Sequence, residues 1–251
     1  MSFDQFVSMI ELDRLYLTQI SQWDDVYEGY AARQFVNIGI HKFWAEILGN
    51  DFKEAVSKLC IGSLYAQSWT FDEQESDAMW RIYSKDKTGV RIKFDEQVIL
   101  SSISNSMSHE LMENKKMSNK VNNFKVEYEN EVKDNDIEHL GETWKALQHK
   151  RSAFKHEKEY RFVVNLEAYF MALNGVKVSM SDNQQVIKVL NDIIEKTEAV
   201  VYYNLPIDKM DEVLLDPRAP KHHEETFMKY CSNRNFNEKS INFNKSKLYT
   251  L

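Results

Sequence analysis

A chain of 251 residues with 43% hydrophobic side chains can bury a sizeable core, and its formal net charge of −7 argues against broad electrostatic binding to nucleic acid. Seven Gly and three Pro are too few for a loop-rich all-β sandwich. The two cysteines, Cys60 and Cys231, lack metal-type spacing and fit a reducing compartment.

Met1 leads straight into polar sequence, and no window approaches the roughly 18 consecutive apolar residues of a membrane span. The expected location is cytoplasmic, with no membrane partner. Ser2 is the expected cap of a short helix over 4–10, and Arg14 to Thr18 read as a strand. A polar loop with Trp23, Asp24, Asp25, Tyr27 and Glu28 leads into helices over 31–48 and 52–59. Residues 61–69 alternate as a strand, and 73–85 form a helix carrying Met79, Trp80 and Tyr83. After Gly89, Val90, Ile92 and Phe94 mark the inner face of a strand.

Residues 101–123 are the most polar stretch. A strand over 124–128 precedes a helix predicted over 136–154, with Leu140, Trp144 and Leu147 on one stripe. A strand over 159–166, a helix over 184–197 and short strands at 199–203 and 212–215 follow. From Lys221 onward six Lys or Arg face three Glu, which reads as a weakly basic polar tail. Helices and strands mix without regular βαβ alternation. The expected fold is α+β, a split antiparallel-rich sheet with surrounding helices, as one domain over 1–220 and a tail over 221–251. No Gly-rich loop of the dinucleotide or P-loop type is present, which argues against a Rossmann or kinase reading.

The segment Glu157-Lys158-Glu159-Tyr160-Arg161 carries the densest chemistry. At period two, Glu157, Glu159 and Arg161 share one strand face, while Tyr160, Phe162 and Val164 share the other. Two like charges in a cleft raise one pKa, and a neighbouring cation restores ionisation. Such a face suits the orientation of sugar hydroxyls or the polarisation of a leaving group. It equally suits a solvated surface with an ion pair of little worth. Trp80 and Tyr83, three apart on a helix, are either an aromatic shelf for a nicotinamide or base, or core. Asp24, Asp25 and Glu28 fall short of the six or more oxygens a hard cation takes. His222-His223 reads as solvated tail, because adjacent histidines do not easily chelate one ion. No metal site is expected.

These residues fall in ordered blocks: Trp23 to Glu28; Met79-Trp80 with Tyr83, Gly89-Val90 and Phe94-Asp95; Lys150, Phe154 and Glu157 to Arg161; and Asp216-Pro217-Arg218-Ala219. In this the chain resembles a widespread bacterial family long labelled a domain of unknown function. The family's pattern runs through Phe-Asn-Asp-Pro-Phe-Glu, Met-Trp with a Tyr three residues on, and Glu-x-Glu-Tyr-Arg. Asp24 stands here for the family's Asn and Val26 for its Pro. Members resemble accessory or toxin components of bacterial defence loci, and their layout is similar to that of ADP-ribosyltransferases. The resemblance implies NAD as co-substrate and catalytic roles for Glu159, Glu157 and Arg161. It implies Trp80 or Tyr83 as the nicotinamide shelf. The family usually opens with a Tyr-rich strand before its first helix, where ADP-ribosyltransferases place an Arg or His on NAD. This sequence opens almost at the helix, and Arg14 and Tyr16 on the next strand are the candidates for that role.

Three functions are consistent with this pattern. The first is an ADP-ribosyltransferase-like toxin or anti-phage defence effector acting on a protein or nucleic acid, with an antitoxin or other defence-system protein as partner. The second is a non-catalytic protein- or nucleic-acid-binding module. The third is a metal-dependent nucleic-acid hydrolase built on Asp24, Asp25, Glu28 and Glu159.

Overall fold

The computed structural model describes residues 1–23, 25, 41–111, 121–130, 140–166 and 183–250. Helix α1 (Phe3–Leu12) is followed by β1 (Arg14–Gln19), α2 (His41–Gly62), β2 (Leu64–Thr70), α3 (Asp77–Tyr83) and β3 (Val90–Phe94). Next come α4 (Glu96–Leu111), β4 (Val121–Lys125), β5 (Glu127–Glu129), β6 (His149–Arg151) and β7 (Glu159–Asn165). Then follow α5 (Asn183–Glu195), β8 (Val200–Asn204), β9 (Met210–Leu215), α6 (Lys221–Asn233) and β10 (Asn242–Lys245). The fold is α+β and antiparallel-rich: β1–β2, β2–β7, β4–β7 and β3–β9 pair antiparallel, while β5–β6 and β9–β10 pair parallel. No described helix is long and apolar enough to cross a membrane.

The expected single domain over 1–220 resolves into two compact units that interleave along the chain. One comprises Met1–Leu15, Asp72–Ile103 and Tyr203–Leu251; the other comprises Tyr16–Phe71 and Ser104–Tyr202.

In the first unit, Ser2 closes a capping box with Gln5 and starts α1. Phe6 of α1 packs 6.3 Å from both Phe227 and Phe236, and Phe236 lies 6.0 Å from Phe243. These rings hold α1, α6 and β10 together, and each buried ring removes a large apolar area from water. The expected polar tail is therefore folded: α6 buries Phe227 and Cys231, and β10 pairs with β9 with Phe243 opposite Val213. A few apolar residues at core positions outweigh the Lys, Asn and Glu that surround them.

Gly89 joins α3 to β3 where the chain passes close to itself. Its N–H donates to Ser84 Oγ at 2.9 Å, and its carbonyl accepts from Asp216 N–H at 3.0 Å. A Cβ there would sit 2.7 Å from Ser84 Cβ and 3.2 Å from the Met1 carbonyl oxygen. Gly89→Ala is expected to cost about 1–3 kcal/mol in urea unfolding, as overpacking of a closed site does. An unchanged midpoint would show that the turn can open.

The second unit is built on a sheet of order β4-β7-β2-β1-β8. Ile61, Leu64, Ala66, Leu147 and Val163 form its core with Ile20, and Trp23, Phe124 and Trp144 pack against it. Ala55, Val56, Leu59 and Cys60 of α2 meet Leu190 and Ile193 of α5 in a second cluster. The helix predicted over 136–154 is not formed where it is described. Leu140–Leu147 is a 3-10 helix, and the chain then extends as β6. Residues three apart eclipse in a 3-10 helix, so Trp144 and Leu147 share a face there as they would in an α-helix. Pairing with β5 is a tertiary contact that local periodicity does not encode. The predicted 124–128 strand breaks at Val126, whose N–H donates to the Glu159 carbonyl at 3.0 Å.

Candidate functional site

β7 runs between β2 and β4, with Ser68 and Phe124 both in register with Arg161. Both of its edges are thereby paired, and Arg161 to Val164 are buried on both faces. Tyr160 and Phe162 pack edge-on at 5.4 Å on one side. Glu159 and Arg161 point to the other, together with Val163 of the core. The charged face is therefore a buried polar site and not a solvated surface: Glu159 is 5% exposed and Arg161 0%. Glu157 reaches the same site by a different route from the expected strand. It ends a 3-10 helix, Ser152–Glu157, and Lys158 turns the chain through the left-handed region at φ 45° before β7 begins.

Four ionisable side chains close on one another here. Arg161 donates from Nε to Glu159 Oε2 at 2.7 Å and from a terminal nitrogen to the Leu147 carbonyl at 3.0 Å. Its second terminal nitrogen also lies 2.7 Å from Glu159 Oε2, and the guanidinium carbon sits 5.0 Å from the Trp23 ring centroid. Ser68 Oγ donates to Glu159 Oε2 at 3.1 Å. Lys150 Nζ donates to Glu159 Oε1 and, at 2.7 Å, to Glu157 Oε2. The same ammonium rests 4.6 Å from the Phe154 ring centroid. The backbone N–H of Glu159 donates to Tyr128 Oη at 2.8 Å. Desolvating these charges costs several kcal/mol each, and only mutual pairing offsets that cost.

Lys150 brings the Glu157 and Glu159 carboxyl groups together, and each acts on the other's hold on its proton. Burial raises both, but its effect on Glu159 is overcome by Glu157 and by the charges and bonds of Arg161 and Lys150. Glu159 is thereby held down at about 2. Glu157 is pushed above the ordinary glutamate value, mainly by burial and then by Glu159. The pair is an ionised acceptor beside a proton holder. Linkage gives the two groups opposite signs. Glu159 stabilises the fold above the ordinary glutamate value, and that contribution is lost as pH falls toward about 2. The contribution from the raised Glu157 is full below the ordinary value and is lost as pH rises through its folded-state pKa. Urea unfolding of Glu157→Gln beside wild type should show the wild type losing ground to the variant as pH rises through that window. A difference constant with pH would contradict the assignment of the proton to Glu157.

The other candidate residues have different surroundings. Trp80 and Tyr83 belong to the first unit and do not form one exposed shelf. Trp80 is 7% exposed, with its indole N–H donated to Glu75 Oε2 at 3.0 Å, whereas Tyr83 is 55% exposed. The Trp80 and Ser84 carbonyls accept from one terminal nitrogen of Arg218, which also pairs with the buried Asp216 at 2.6 Å. The Met-Trp and Asp-Pro-Arg blocks thus clasp the end of α3. Arg14 and Tyr16 lie half-buried on β1, and Tyr16 packs edge-on with Tyr202 at 6.2 Å. Asp25 accepts from Arg151 at 3.3 Å, while Asp24 and Glu28 lie outside the described residues. Ser68 and Tyr128 carry no sequence signal for the site, because only tertiary contacts bring them to Glu159. Lys150 stands seven residues before Glu157, and that spacing in the third block was its only trace.

A family model described as a protein of unknown function (DUF2971) matches residues 79–162. That span includes Trp80, Lys150, Glu157, Glu159 and Arg161, and it supports the likeness to a family of unknown function over that length. No curated protein and no solved structure matches the chain.

Proposed function

We propose that this chain is an ADP-ribosyltransferase-like effector of a toxin or anti-phage defence system, with NAD as co-substrate and a protein or nucleic acid as acceptor. The observation that carries the reading is a pair of buried carboxyl groups held on one ammonium, that of Lys150, and shifted in opposite directions. Ribosyl transfer breaks the C1′–N bond, and its electron pair leaves with nicotinamide. Positive charge develops on the ribose, where an ionised Glu159 stabilises it electrostatically. Glu157, in its deprotonated form, accepts the proton of the attacking group. Ribose hydroxyls would take over contacts now made to Glu159 by Lys150 and Ser68.

A second reading is favoured by the closure of the site. Both Glu159 oxygens already have donors, and the residue is 5% exposed. A network complete in itself suits a non-catalytic binding module whose polar core holds the fold. The metal-dependent hydrolase has no comparable support, since Asp25 is paired with Arg151 and Glu159 with Lys150 and Arg161.

Transfer from labelled NAD and cellular NAD content separate the two readings. Wild type is expected to label an acceptor or deplete NAD. Glu159→Gln, checked for folding by circular dichroism, is expected to lose about a hundredfold or more in rate, the scale of removing one transition-state partner. Wild type without labelling, hydrolysis or NAD loss would leave the binding module as the account of the protein.

A further inference from the structure

We propose that Glu127, Glu129 and His149 bind one divalent transition cation, best matched by Zn²⁺, which clamps β5 to β6. This site is separate from the carboxyl pair and does not depend on NAD chemistry.

β5 and β6 pair in parallel, with Glu127 in register with His149 and Glu129 with Arg151. At period two, Tyr128 and Lys150 leave one face of this ribbon, and both reach Glu159. Glu127, Glu129 and His149 leave the other. One ligand atom from each lies within 4.8 Å of the other two. His149 Nδ1 stands 3.7 Å from Glu129 Oε1 and 4.0 Å from Glu127 Oε2. Both separations exceed the ~2.7–2.9 Å of a charge-assisted N–H···O bond. Two ligands about 2.0–2.1 Å from a tetrahedral Zn²⁺ stand about 3.4 Å apart, which small side-chain shifts would reach here. Among the described residues, His149 Nδ1 is shielded from solvent and has no hydrogen-bond partner.

The donor chemistry agrees with this reading. One imidazole and two carboxylates suit Zn²⁺ and leave a fourth position for water. Glu127 is 72% exposed at its side chain and has the freedom to close on an ion, whereas Glu129 and His149 are held at 19% and 22%. Arg151, the next residue on that face, is turned toward Asp25 and Phe154. A bound ion would stiffen the ribbon that presents Lys150 and Tyr128 to the carboxyl pair.

The test uses the full chain, stripped with chelator and titrated with Zn²⁺ against a chromophoric competitor. One Zn²⁺ per chain is expected, with a rise in Tm on addition. His149→Ala and Glu127→Gln should each weaken binding by about tenfold or more, the scale on which even outer-shell changes act. The double variant His222→Ala with His223→Ala should bind as wild type does. Should His149→Ala fail to fold by circular dichroism, the exposed Glu127→Gln decides alone. Absence of stoichiometric binding would overturn the proposal. So would binding that is unmoved at His149 and Glu127 but lost with His222 and His223.

Discussion

Arg161 is withdrawn from solvent completely, and a guanidinium cannot shed its charge at any pH a protein survives. Its place in β7 therefore requires an anion at fixed distance, and Glu159, two residues earlier on the same strand face, supplies it. Several further elements of the second unit enclose that pair. β2 brings Ser68, the 3-10 helix before β6 ends at the Leu147 carbonyl, and the Trp23 ring covers the guanidinium. Lys150 then holds a second carboxyl group, that of Glu157, which the strand alone would not reach. Removing one partner of such a buried pair costs about 3–5 kcal/mol, because the charge left behind stays buried.

The same construction recurs in the first unit on a smaller scale. Asp216 is fully buried and receives Arg218, whose guanidinium also closes the carbonyls at the end of α3. Burial works against ionisation of Asp216, but the Arg218 bonds prevail and hold its carboxyl below the usual value. Two of the blocks that look functional in sequence, Met-Trp and Asp-Pro-Arg, thereby acquire a structural role. The enclosed Trp80 and the close approach at Gly89 belong to that clasp. The oppositely shifted carboxyl groups, Glu157 and Glu159, lie in the second unit.

Much of this was legible before any coordinates. The strand at Glu159, the inward strand after Gly89 and the amphipathic helix ending near Glu195 all follow from periodicity. So does the grouping of Glu157, Glu159 and Arg161, although period two accounts for only part of it. Period two places Glu159 and Arg161 together, but Glu157 arrives through a left-handed turn at Lys158 that pattern alone does not announce. What stayed hidden is tertiary. Strand register sets Ser68 beside Glu159, and parallel pairing replaces a predicted helix by the β6 strand that carries Lys150 and His149. The polar C-terminal segment misled for a related reason. Phe227, Phe236 and Phe243 are sparse in sequence, yet they converge on Phe6 or on one another.

Glu159 and Arg161 act as one buried unit on which the site depends. A double-mutant cycle of Glu159→Gln and Arg161→Met, read by urea unfolding at neutral pH, tests it most directly. The account predicts a coupling of about 1–3 kcal/mol, with the double variant more stable than the sum of the single losses allows. Losses that add to within about 0.5 kcal/mol would show two independent side chains and contradict it.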